Sequence, residues 1–128
     1  MSNELTRAYL GAMGQAQSDP VGEALRRFAA NPADTAAADT LADSPEYVGT
    51  TRTTCVATML RGGHADNALP QSGTATVNCR VFPGTNAEQV RATLQDVVGP
   101  GIDVVTLGSP FTSPASPMRD DVRAAVAK

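Results

Sequence analysis

The sequence predicts an α+β fold of the ferredoxin-like kind, a two-layer sandwich with an antiparallel sheet and helices on one face. Three observations point there. Apolar residues recur at helical spacing through the first third of the chain, the period changes to alternation over residues 52–60 and 74–82, and a capped helical pattern follows at 85–98. A chain of 128 residues with 41% apolar content is long enough to bury one core, so a single domain is expected.

Leu5, Ala8, Tyr9, Ala12, Met13 and Ala16 form the first stripe, broken at Ser18, Asp19 and Pro20. Asp19 then caps a second helix with Pro20 in its first turn, and Val21, Ala24, Leu25 and Phe28 give its apolar face. Asn31 and Pro32 close it, and an Ala-rich helix is expected from there to about residue 42. Thr-rich and Val-rich alternation makes 52–60 and 74–82 strands, with Cys55, Ala57 and Met59 facing the core beside Ala75, Val77, Cys79 and Val81. Both cysteines are therefore expected as inert thiols under the helices. Between the strands, residues 62–70 are rich in Gly, Asn and Pro and form a shaped loop. Thr85 and Glu88 read as a capping box, Val90, Leu94 and Val97 as one helical face, and Gly99 as its stop. A third strand is expected at 102–107, an extended linker with three Pro and three Ser at 109–117, and a last helix from Ser116-Pro117 through Val122 and Val126. The chain thus divides into a helical segment (1–49), a strand-loop-strand-helix-strand core (50–108) and a linker with a final helix (109–128).

Composition excludes several function classes. The formal charge is −3 with no block of like charges, which gives nucleic acid or an anionic membrane no electrostatic footprint. No apolar run approaches the roughly 20 residues of a membrane span, and no basic-then-apolar signal opens the chain, so a soluble protein without an address is expected. Two cysteines make neither a disulfide framework nor a Cys-x-x-Cys site. With 4% aromatics and no Trp, recognition should be polar.

GGHADNALP, ATVNCRVFPG and the capped helix after them, with RTTCVATML before, resemble the dimerisation (lid) domain of the zinc exopeptidases that include aminoacylase, acetylornithine deacetylase and glutamate carboxypeptidase, peptidase family M twenty. The resemblance is sharpest over residues 52–98. It implies a lid that pairs with the lid of a second subunit and reaches over a catalytic domain holding two zinc ions. The chain itself then carries no cofactor and hydrolyses nothing alone, since a catalytic zinc needs about three protein ligands and there is one histidine. Cys55 and His64, nine residues apart along a strand, lie on the order of 30 Å from one another and share no metal. A family lid opens with a strand bearing a histidine for the partner's active site; that residue would precede residue 1, and one strand of the sheet is expected to be lacking.

The resemblance assigns substrate binding to Asn67 and Arg80. An arginine supplies a rigid donor fork for a carboxylate, and an asparagine adds a neutral donor. By residue type alone an arginine on an exposed strand is most often solvated, and an asparagine in a loop most often satisfies its own backbone. Gly62, Gly63, His64 and Pro70 are read as shaping the loop. His64 beside Asp66 invites a general-base reading, yet no nucleophile accompanies it; Cys79 and Arg80 alternate to opposite faces, which disfavours a cation-activated thiolate. The expected partners are a second copy of the chain and, in the whole enzyme, a small peptide or N-acyl amino acid. The competing reading is a stand-alone ferredoxin-like module binding a small carboxylate such as an amino acid.

Overall fold

Asn3 starts the first helix by accepting the Thr6 amide at 2.9 Å, while Thr6 Oγ1 accepts the Asn3 amide at 3.0 Å. The computed structural model describes residues 1–126. In chain order it contains α1 (Glu4–Ala16), α2 (Pro20–Ala30), α3 (Thr35–Ala42), a single turn α4 (Val48–Thr51), β1 (Thr54–Gly62), β2 (Gly73–Arg80), α5 (Ala87–Val98) and α6 (Asp120–Val126). The class is the expected α+β, and β1 and β2 form one antiparallel sheet.

Helices α1 to α3 pack on one another. Asp19 accepts the Gly22 amide at 2.8 Å with Pro20 in the first turn, and α2 buries Ala24, Leu25 and Phe28 as its pattern predicts. Asp34 caps α3 through the Ala37 amide at 3.0 Å and takes a two-pronged ion pair from Arg27 at 2.9 and 3.1 Å. The core is Leu10, Ala24, Leu25, Phe28, Ala37, Leu41 and Tyr47. Tyr47 is buried with its hydroxyl accepting from Gln17 Nε2 at 2.7 Å, and burial raises its pKa above the ordinary value, with Gln17 opposing.

The stripe of α1 is rotated from the expected one. Leu5, Ala8, Tyr9 and Ala12 are exposed, whereas Leu10 and Gly14 are buried. The reason is a close helix crossing: a Cβ on Gly14 would lie 2.9 Å from the Gly22 carbonyl oxygen and from Leu25 Cβ, so the contact is made by absent side chains that a hydropathy pattern does not register. Arg26 seals the crossing by donating to the carbonyls of Gly14 and, at 2.9 Å, Gln17 at the end of α1.

The sheet departs from expectation in its cover. No residue of β1 or β2 is buried, so the helical layer packs on itself and leaves both sheet faces open. Its root is tied down by polar bonds: Arg52 Nη2 to the Ala38 carbonyl at 3.0 Å, and the Phe82 amide to Thr53 Oγ1 at 3.0 Å. Helix α5 begins one residue later than the expected box, at Asn86, which accepts the Glu88 amide at 2.8 Å while Gln89 Oε1 accepts the Asn86 amide at 3.4 Å. It buries no residue. A cleft of about 590 Å³ separates it from Arg52, Thr53 and Cys55.

The expected strand at 102–107 does not form. Gln95 of α5 takes its backbone groups instead, donating to the Gly99 carbonyl at 2.9 Å and the Ile102 carbonyl at 2.8 Å and accepting the Val104 amide at 3.1 Å. The last helix starts at Asp120, three residues past the expected Pro117.

Candidate functional site

The β1–β2 hairpin carries every residue the sequence singles out. Its ladder runs from Thr54 opposite Arg80 at the root to Gly62 opposite Gly73 at the loop end. The register slips by one between Ala57 and Met59, leaving Thr58 as the extra residue of a β-bulge whose hydroxyl donates to the Thr76 carbonyl at 3.2 Å. This slip reverses the alternation of β1. Met59, expected beside Cys55 and Ala57, pairs with Thr76 on the other side, and Leu60 takes its place opposite Ala75.

Two faces result. One holds Cys55, Ala57, Leu60, Ala75, Val77 and Cys79; the other holds Arg80 and Arg61 among Thr54, Thr74, Thr76 and Asn78, with the exposed apolar residues Val56 and Met59 between them. Without the bulge, Arg61 would share the cysteine side. Neither strand contains an acidic residue, so within a chain of net charge −3 the only charges on this face are positive. Arg80 is exposed, and among the described residues no carboxylate pairs with it.

Asn67 is exposed at the loop tip, in the turn closed by the Ala68 amide on the Ala65 carbonyl at 3.4 Å. Arg80 is at the root. At roughly 3.3 Å per residue the ladder between Arg80 and Gly73 spans about 23 Å, so the hairpin sets the two residues at opposite ends and does not bring them together within one chain. His64 and Pro70 are exposed in the same loop, and Gly63 has φ 77°, a conformation that favours glycine, whereas Gly62 is an ordinary ladder residue opposite Gly73.

The cysteines correct the sequence reading. They are direct cross-strand partners, but they form a disulfide, with Cys55 exposed and Cys79 half-buried, rather than two thiols beneath helices. A signal was present: each cysteine is twelve residues from Asn67, and residues equidistant from a hairpin tip face one another. Among the described residues, no group of three or more His, Cys, Asp or Glu side chains is placed to hold a metal ion, and no helix is long and apolar enough to cross a membrane.

The family model described as a peptidase dimerisation domain matches residues 11–102, from the middle of α1 past the end of α5. No curated protein and no solved structure matches the chain.

Proposed function

We propose that this chain, which belongs to the peptidase dimerisation domain family, pairs two subunits of a zinc-dependent exopeptidase or amidohydrolase and offers Arg80 to the free carboxylate of its substrate. The observation that carries this reading is the acid-free, arginine-bearing face of the hairpin, with Arg80 exposed at its root. An unpaired guanidinium there presents a planar donor fork that a carboxylate fills with two parallel hydrogen bonds. A small peptide or an N-acyl amino acid has such a carboxylate beside the bond to be cut. Among the described residues no group of three or more His, Cys, Asp or Glu side chains is placed to hold a metal ion; on this reading the two zinc ions belong to a catalytic domain, and no hydrolytic step is assigned to these residues.

Open ladder edges on both strands, unburied on either face, support pairing with a second copy. Because the hairpin separates its tip from its root, a two-fold pair is the arrangement in which Asn67 reaches a carboxylate held by Arg80 of the partner subunit. The asparagine amide then adds a neutral donor to the charged pair.

The test is made in the whole enzyme. A charge-assisted pair contributes about 1.5 to 3 kcal/mol, so Arg80→Ala should lower kcat/KM by about ten- to over a hundredfold, and much less for a substrate whose carboxylate is amidated. Co-expressed Arg80→Ala and Asn67→Ala subunits should regain about a quarter of wild-type activity, since half the dimers are mixed and one of their two sites is intact. Unchanged kinetics in Arg80→Ala would reject the carboxylate role; loss in both variants without recovery on mixing would reject the shared site.

A further inference from the structure

The hairpin that bears Arg80 draws nothing from the hydrophobic core, which consists of residues between Leu10 and Tyr47. A lone two-stranded hairpin is marginal in water, because a ladder without a covered face has no apolar burial to offset chain entropy. Beyond the ladder the strands are joined by side-chain bonds at Thr58 and Thr53 and by one covalent bond, Cys55–Cys79, lying one residue from Arg80 and closing a loop with a sequence separation of 24. The bond is also reachable. Cys55 is exposed and borders the open cleft against α5, whose wall there includes Val90, Thr93 and Leu94, so a thiol can approach its sulfur without the helical core opening.

We infer that Cys55–Cys79 is a thiol–disulfide exchange site, opened by dithiols, whose state sets whether the strands carrying Arg80 hold their register. A dithiol's thiolate attacks Cys55 Sγ, the bond to Cys79 breaks, and Cys79 leaves as a thiolate that takes up a proton. The second thiol then displaces Cys55, leaving two protein thiols and an oxidised dithiol, with two electrons transferred to the protein. Reduction removes the constraint on the hairpin alone; α1 to α3 keep their own core. The inference stands apart from the carboxylate reading, since it is read from strand order and not from substrate binding.

The experiment uses the full chain, air-oxidised, with dithiothreitol as the dithiol, iodoacetamide to trap thiols, and amide hydrogen exchange as the measure of order. Without dithiothreitol neither cysteine should alkylate. With it, both should alkylate under native conditions, amides in 54–62 and 73–80 should exchange roughly tenfold faster or more, and those of α1 to α3 should be unchanged. Cys55→Ser with Cys79→Ser should reproduce the fast exchange without dithiothreitol, and the reduced wild-type chain gives the same answer if that variant does not fold. Alkylation before reduction, a bond that yields only after denaturation, or equal hairpin protection in both states would each overturn the inference.

Discussion

Replacing Gly14 by alanine tests the helix crossing on which the core is built. Two effects oppose. In a helix interior, alanine is favoured over glycine by about 0.5–1 kcal/mol, because it has less backbone freedom to lose on folding. Against this, the new Cβ would sit 2.9 Å from the Gly22 carbonyl oxygen, Leu25 Cβ and Arg26 Cγ, whereas carbon contacts are best at about 3.5–4.0 Å. Since all three neighbours belong to α2, the helix must retreat by roughly 0.6 Å as a body, and overpacking of this kind costs about 1–3 kcal/mol. The cost wins, so Gly14→Ala should destabilise by about 0.5–2 kcal/mol. Gly22→Ala should cost more, since its Cβ would collide with the backbone carbonyl of Gln17, which cannot rotate aside. Gly49 in α4 has nothing within 4 Å of its would-be Cβ, so Gly49→Ala keeps only the favourable effect and should stabilise by up to about 1 kcal/mol. Urea denaturation followed by circular dichroism gives the order directly, and a 1 kcal/mol change moves the midpoint by about 0.5 M at a slope of about 2 kcal/mol/M. If Gly14→Ala raises the midpoint as Gly49→Ala does, α1 and α2 do not approach as described.

The Asp34 carboxyl is held below its ordinary value of 3.8, first by the Ala37 amide and then by Arg27, against opposing desolvation. A depressed folded-state value means stabilisation that is full above 3.8 and lost as pH falls through the lower value, so an acid titration of melting temperature should show wild type above Asp34→Asn at pH 6 and the gap closing below pH 3.8. Gln95→Ala should leave the helices intact while the Val104 amide exchanges about five- to tenfold faster, because three backbone groups lose one shared partner; unchanged exchange at Val104 would mean another interaction holds this segment.

What was legible in the sequence is what short-range chemistry decides. Asp19 before Pro20 caps its helix wherever α2 ends up packing, and the alternation of residues 74–80 gives β2 its two faces without reference to a partner. Asn67 and Arg80 stand out by motif and not by residue type, and the structure leaves both exposed. The features that were not legible depend on which segments meet. Thr58 is unremarkable until β2 lies beside it and forces a bulge, and Gln95 is an ordinary helix residue until the chain after Gly99 turns back under it. Gly14 looks like a helix weakness until α2 crosses it. The separation of Asn67 from Arg80 follows from the register, which motif spacing alone does not contain.

The extra residue at Thr58 also restricts how this hairpin can change by insertion and deletion. A strand counts its side chains in twos, so the distance from the bulge to the loop has a parity. Adding or removing one residue between Met59 and Gly62 would send Arg61 to the disulfide side or bring Leu60 among the arginines, whereas adding two would lengthen the hairpin and keep each side's chemistry. Deleting Thr58 itself is the exception: it would remove the bulge and leave Met59, Leu60 and Arg61 opposite the same partners and on the same sides. Loop length is free of this rule, because the ten residues from Gly63 to Ser72 are outside the ladder. Chains of this kind can therefore vary by any number of residues at the tip, but between the bulge and the loop only by even ones if the arginine side is to survive.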